Sequence, residues 1–284
     1  MGALSFSKVE GLGNDFILLD RLDQGPGGLE REVEWARGIA ARLCDRRTGI
    51  GADGILVVGP PKSEDALGSM IVVNADGSRP EMCGNGLRCV AAFLASRYRV
   101  DAVRVDTDAG HRDCQIVDFR GNATDVTIDM GPARALGKRT PKAGAGREFI
   151  GISVGNPHAV CFVAANEDLE TLARSYGPGV ENDPAYQPDK TNVEFATREA
   201  DGSLTLWVWE RGVGITQACG TGACATAAAA LGEGLITADA PVIVRLPGGA
   251  LTIVAPGDPL AGVQMTGPSR HVFTGVVHVD EVLD

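Results

Sequence analysis

The chain reads as an α+β protein of two pseudo-symmetric lobes, each a mainly antiparallel sheet wrapped around a helix that follows a Cys-Gly loop. Three observations predict this. A strand–loop–helix unit occurs twice, short apolar runs alternate with turn residues along the chain, and a Pro/Gly-rich connector lies near the midpoint.

The repeat is the strongest of the three. Met70–Ala95 aligns with Leu206–Leu231 without gaps at an offset of 136 residues, the separation of Cys83 from Cys219. Met-Ile-Val-Val at 70–73 falls on Leu-Trp-Val-Trp at 206–209, two apolar runs of strand length. Asn74 falls on Glu210, and Met82-Cys83-Gly84-Asn85-Gly86 falls on Ala218-Cys219-Gly220-Thr221-Gly222. Good helix formers follow in each half, over Leu87–Arg97 and Ala223–Leu231. A second echo lies upstream, where Gly13-Asn14-Asp15-Phe16 and Gly155-Asn156-Pro157-His158 each precede an apolar run.

The other elements follow from pattern. Strands are expected at Ser5–Lys8, Phe16–Asp20, Ile55–Val58, Val103–Asp106, Cys114–Asp118, Ala123–Asp129, Ala159–Val163, Val242–Leu246, Leu251–Ala255 and Val276–Val279. Helices are expected at Glu30–Leu43 and around Glu167–Tyr176. The connector Met130–Gly146 is the expected boundary between a lobe of residues 1–130 bearing Cys83 and a lobe of 131–269 bearing Cys219.

Composition narrows the function classes. Of 284 residues, 44% are apolar, enough for sizeable cores, but aromatics are only 5%, so aliphatic side chains must fill them. The net charge of −11 and the lack of a Lys/Arg-rich run argue against nucleic acid or an anionic membrane as partner. The first twenty residues carry Lys8, Glu10, Asp15 and Asp20, so no signal-peptide core is expected there. No apolar run reaches the roughly 18 residues of a membrane span. Seven cysteines (44, 83, 89, 114, 161, 219 and 224) without a C-x-x-C pair, and only four histidines, predict neither a zinc site nor a disulfide framework. A soluble protein of the reducing cytoplasm is the expectation, with most of these cysteines serving as small core residues.

Cys83 and Cys219 differ from the other five because each stands where a Gly-rich turn enters a helix. The first helical amides lack internal acceptors, and the helix dipole puts partial positive charge there. Such a position lowers a thiol's pKa and can hold a carboxylate on the amides of Gly84-Asn85 and Gly220-Thr221. Two lobes facing each other would set one thiol on each side of a ligand. Inverting an α-carbon needs that pair, a base on one face and an acid on the other, with donors ready for the carbanion's charge. The expected chemistry is therefore cofactor-free racemisation or epimerisation of an amino acid, with no metal.

Seven ordered segments resemble the diaminopimelate epimerase family, which converts LL- to meso-diaminopimelate. They are Gly11-Leu-Gly-Asn-Asp-Phe16, Arg47-Thr-Gly-Ile-Gly-Ala-Asp-Gly54, Asn74-Ala-Asp-Gly-Ser78, Met82-Cys-Gly-Asn-Gly-Leu-Arg-Cys89, Gly155-Asn-Pro-His158, Thr191-Asn-Val-Glu-Phe195 and Glu210–Ala225. The resemblance implies catalytic roles for Cys83 and Cys219, independence of pyridoxal phosphate, and a homodimer. It implies that Gly84, Asn85, Gly220 and Thr221 hold the carboxylate at the reacting carbon. Asn14, Asn74, Asn156, Asn192, Glu210 and Arg211 then bind the remaining polar groups, while His158 and Glu210 set thiol protonation. It also implies that a C-terminal strand, residues 270–284, returns to the first lobe, and that the reaction serves lysine and peptidoglycan-precursor biosynthesis. Two positions depart from the family: Glu10 stands where many members have His, and Phe273 where some have a Tyr at the dimer contact.

Taken alone, the polar residues have plainer explanations. Asn156-Pro157, Asn14 and Asn74 suit turns, Glu210-Arg211 suits a solvated ion pair, and His158 suits a satisfied, partly buried ring. Two alternatives share the Cys-Gly loops: an isomerase of the proline or hydroxyproline racemase type, and a non-catalytic carboxylate-binding protein.

Overall fold

The computed structural model describes residues 3–80, 82–258 and 260–278; residues 279–284 of the expected return strand, and with them Val279, lie outside that range. The fold divides into two compact units, one of residues up to Ile128 together with those from Gly267, the other of Asp129–Thr266.

The first unit runs β1 (Ala3–Gly11), β2 (Asn14–Asp20), α1 (Pro26–Leu43), β3 (Gly54–Gly59), β4 (Gly68–Asn74), α2 (Gly84–Tyr98), β5 (Ala102–Thr107), β6 (Gly110–Arg120) and β7 (Ala123–Asp129). These strands are neighbours in chain order. Pairing is antiparallel except at β2–β3 and β4–β5, the two steps bridged by α1 and α2. Parallel neighbours need such a crossover, because a tight turn can only reverse the chain.

The second unit runs β8 (Arg134–Arg139), β9 (Phe149–Ser153), β10 (Pro157–Phe162), α3 (Leu169–Glu181), β11 (Asn192–Arg198), β12 (Leu204–Glu210), β13 (Gly214–Ile215), α4 (Gly220–Gly232), β14 (Pro241–Leu246), β15 (Gly249–Val254) and the start of β16 (Gln264–His278). From β9 to β15 the order repeats that from β1 to β6, with β10–β11 and β12–β14 as the parallel steps. The beginning of β16 pairs with β15, and its later residues pair antiparallel with β1, from Ala3↔His278 to Glu10↔Arg270.

Strand alternation sorts side chains onto two faces. Ile17, Leu19, Ile55 and Val57 pack against Val33, Ala36, Ile39 and Ala40 of α1. Ala159, Cys161, Val193 and Phe195 pack against Leu172 and Ala173 of α3. The alternate residues face the other helix of each unit. Thus α2 touches β1 through β6, and α4 touches β9 through β12, β14 and β15. The sheet can close around α4 because seven of its thirteen residues (Gly220, Gly222, Ala223, Ala225, Ala227, Ala229 and Ala230) are buried Ala or Gly, which keep the helix thin.

Three local expectations need revision. The connector Met130–Gly146 contains β8, whose six residues are all exposed and so show no apolar alternation. Strands β9 and β11 also escaped the pattern; β11 carries Asn192 and Glu194 inside an otherwise apolar stretch. The helix near Tyr176 continues through Gly177-Pro178-Gly179 to Glu181. Gly177 is required there, since a Cβ would come within 2.5 Å of Trp209, and the Asn182 side chain donates to the Pro178 carbonyl at 2.8 Å.

Candidate active site

Each central helix begins at a cysteine. Cys83 is the N-cap of α2 with φ −142° and ψ 108°, and its sulfur accepts from the Gly86 amide at 3.4 Å. Cys219 is the N-cap of α4 with φ −121° and ψ 105°, and its sulfur accepts from the Gly222 amide at 3.3 Å. The sulfur stands in for the usual Ser or Asp oxygen at this position. Both loops need their glycines. A Cβ at Gly86 would lie 2.8 Å from Leu56 Cδ2, and one at Gly222 would lie 3.0 Å from Glu194 Oε1 and 3.2 Å from Cys219 Sγ.

In the first unit, Asn14 opens β2 beside Cys83. The Cys83 thiol faces Asn14 Oδ1 at 3.9 Å, and Asn85 Nδ2 donates to the same oxygen at 3.3 Å. Asn14 Nδ2 donates to Asp53 at 2.8 Å, and Arg46 bridges Asp53 and Asp15 at 2.7 and 2.6 Å. Against the opposing effect of burial, the Arg46 and Lys8 partners hold the Asp15 carboxyl at about 2. Asn74 ends β4 and donates to Ser78 Oγ at 2.8 Å. Buried Arg88 donates to Asn85 Oδ1 at 2.8 Å and to the Pro268 carbonyl at 3.0 Å, which anchors the first turn of α2.

In the second unit, the polar residues come from the ends of three adjacent strands. His158 on β10 pairs in register with Asn192 on β11, and Val193↔Trp209 sets Glu210 of β12 beyond it. His158 is buried; its Nδ1 lies 2.6 Å from Glu194 Oε1 and its Nε2 lies 3.0 Å from Asn156 Oδ1. Asn156 Nδ2 donates to Thr221 Oγ1 at 3.4 Å, and that hydroxyl is 3.5 Å from Cys219 Sγ. Asn192 donates to the Pro157 carbonyl at 2.9 Å and accepts from the Arg211 amide at 2.9 Å. Exposed Arg211 donates to the Asp189 carbonyl at 2.7 Å. Glu210 accepts from Thr216 Oγ1.

Electrostatics here differ from the expectation for a lone helix terminus. Burial, then the carboxylates of Glu210 and Glu194, push the Cys219 thiol well above its ordinary range. Burial also pushes the carboxyls of Glu210 and Glu194 up. The helix dipole's effect on this thiol is outweighed by desolvation and two acidic neighbours. Cys44, Cys89, Cys114 and Cys161 are held up by burial as well, to about 11, 12, 12 and 11, as expected of core thiols.

The structure thus gathers Cys83, Gly84, Asn85 and Asn14 at one helix start, with Asn74 at the end of β4. It gathers Cys219, Gly220, Thr221, Asn156, His158 and Glu210 at the other, while Asn192 and Arg211 pair with each other at the adjoining ends of β11 and β12 and Arg211 reaches Asp189. Sequence reasoning missed two residues. Glu194 was quoted only as part of a motif, although an acid in mid-strand between Val193 and Phe195 is itself a signal of a buried charge. Glu181 accepts from Trp209 Nε1 at 2.8 Å and from the Gly212 amide at 3.1 Å, bracketing Glu210-Arg211. Among the described residues no cluster of His, Cys, Asp and Glu could hold a metal ion, and no helix is long and apolar enough to cross a membrane.

Comparison with known proteins matches this arrangement. The sequence profile described as diaminopimelate epimerase matches residues 6–136 and 150–272. Diaminopimelate epimerase of Desulfitobacterium hafniense is 41% identical over 290 residues, which cover 96% of this chain and 98% of that protein. The diaminopimelate epimerase of a Synechococcus species is 43% identical over 293 residues, covering 96% and 97%. Among solved structures, a probable proline racemase from Agrobacterium radiobacter with bound carbonate superposes with a TM-score of 0.73 at 14% identity, covering 98% of this chain and 93% of that one. A hydroxyproline epimerase from Agrobacterium vitis gives 0.72 at 16% identity, covering 97% and 91%; both share the fold. With the profile running through every motif described above, this chain belongs to the diaminopimelate epimerase family, a family of isomerases.

Proposed function

We propose that this protein catalyses cofactor-independent epimerisation of LL-diaminopimelate to meso-diaminopimelate, with Cys83 and Cys219 working as an acid–base pair on opposite faces of the α-carbon. The observation that carries the reading is the duplicated half-site, a cysteine capping the central helix of each unit. One thiolate takes the α-proton, the electron pair delocalises onto the α-carboxylate, and the other thiol returns a proton from the far side. The amides of Gly84, Asn85, Gly220 and Thr221, with the helix dipoles behind them, stabilise the charge that builds on that carboxylate.

Burial, then the carboxylates of Glu210 and Glu194, hold the Cys219 thiol above its ordinary range, which suits it to donate a proton. Glu210 and His158 govern proton traffic at Cys219. Asn14, Asn74, Asn156, Asn192, Glu210 and Arg211 bind the substrate's other polar groups, and Arg211 suits a carboxylate because its planar fork pairs with two oxygens. The enzyme is cytoplasmic and homodimeric in this reading, and its lobes are residues 1–130 with the return strand, and 131–269.

The test is incubation of the reduced protein with LL-diaminopimelate in D₂O without cofactor, followed by chiral chromatography and mass spectrometry. The expected product is the meso form carrying one solvent α-deuterium, and Cys83→Ala or Cys219→Ala abolishes inversion while the fold survives. No inversion and no exchange, or full turnover by both variants, would refute it.

A further inference from the structure

The two units repeat their topology but not the chemistry beneath their central helices. Phe16 on β2 pairs with Gly54 on β3, as His158 on β10 pairs with Asn192 on β11. Two residues further along, Leu56 corresponds to Glu194. The glycines make the same correspondence independently: a Cβ at Gly86 would meet Leu56, and a Cβ at Gly222 would meet Glu194. Under Cys83 the pair is therefore Phe16 and Leu56, both buried hydrocarbon. Under Cys219 it is His158 and Glu194, with no exposed side-chain surface on either.

A buried carboxylate at a position where the same fold accepts leucine calls for a reason, because desolvating a charge costs far more than burying a methyl group. Glu194 spends only one oxygen on His158. Its Oε2 is buried with no hydrogen-bond partner among the described residues. From Oε1 the contacts run onward through His158, Asn156 and Thr221 to Cys219 Sγ, at 2.6, 3.0, 3.4 and 3.5 Å.

We propose that Glu194 is a positioning residue for the reaction at Cys219: it fixes the His158 ring by Nδ1 and, through Asn156, places the Thr221 hydroxyl beside the sulfur. With a carboxyl oxygen at Nδ1 and the Asn156 carbonyl oxygen at Nε2, the ring is held at both nitrogens, so the groups ahead of it keep one geometry. The titratable groups around Glu194 are His158 from β10, Glu210 from β12, Cys219 at the start of α4, and Tyr186 from the short helical turn Pro184–Tyr186. Glu194 therefore also contributes to the field at the thiol. The proposal rests on the epimerase reading above.

The experiment compares wild type with Glu194→Gln, Glu194→Asp and Glu194→Leu, the last installing the residue found in the other unit. Expected are a fall in kcat of about 10- to 100-fold for Gln and more for Leu, with KM within about threefold, since Glu194 touches no substrate. The pH profile of kcat changes shape in Gln and Leu, and Asp restores the wild-type shape at reduced height. Iodoacetamide labelling of Cys219, followed by peptide mass mapping, moves to lower pH in Gln because one acidic neighbour is gone. Wild-type kcat and pH profile in Gln or Leu would overturn the proposal. So would a kcat loss that tracks only a lower melting temperature with the profile unchanged. If wild type itself fails to epimerise diaminopimelate, the epimerase reading falls, and the labelling shift still reads Glu194's action on Cys219.

Discussion

Gly222→Ala tests how tightly the α4 loop is built. Replacing glycine by alanine within a helix ordinarily stabilises by up to about 1 kcal/mol. At Gly222 the new Cβ would sit 3.0 Å from Glu194 Oε1, 3.2 Å from Cys219 Sγ and 3.3 Å from Cys219 Cβ, so both neighbours must give way. Overpacking a buried site costs about 1–3 kcal/mol. The overpacking outweighs the propensity gain, and a net destabilisation of roughly 1–2 kcal/mol follows from those two figures. The functional effect exceeds the stability effect, because the displaced atoms are the proposed acid and the carboxylate that positions its surroundings. Urea unfolding gives the first quantity and deuterium-incorporating turnover the second. A variant as stable as wild type or more so, with full activity, would refute the picture of a loop packed against Glu194 and Cys219.

Gly38→Ala is the control: it lies mid-helix in α1 with nothing within 4 Å of an added Cβ, so unfolding should shift toward greater stability by about 0.5–1 kcal/mol. Asp15 is held at about 2, below its ordinary 3.8, so its contribution is complete above 3.8 and is lost as pH falls toward 2. Acid unfolding of Asp15→Asn, followed by circular dichroism, should therefore lack the loss that wild type shows in that window. Because burial and then Glu210 lead the causes that raise the Cys219 thiol, Glu210→Gln should let iodoacetamide label Cys219 at lower pH than in wild type. An unmoved labelling curve would show that Glu210 does not act on the sulfur.

Much of this protein was legible in the chain itself, because its duplication left residue-level traces. The paired Cys-Gly-x-Gly loops located both helix caps, and short-range rules made them caps: a polar atom before a helix start and glycine where backbone must come close. Aliphatic runs such as Ile55–Val58 announced buried strands by their own composition. What the chain could not show was the protonation bias at Cys219. Helix-dipole reasoning is local and pointed toward an acidic thiol, whereas the tertiary structure brings Glu210 and Glu194 from separate strands beneath the sulfur and removes its water. Edge strand β8, exposed throughout, was silent for a related reason: its pairing with β9 is made by backbone atoms, which carry no sequence signal. The identity of Glu194 as the counterpart of Leu56 likewise emerged only from strand register, because residues separated by more than a hundred positions become comparable once the sheets define which of them lie under each helix.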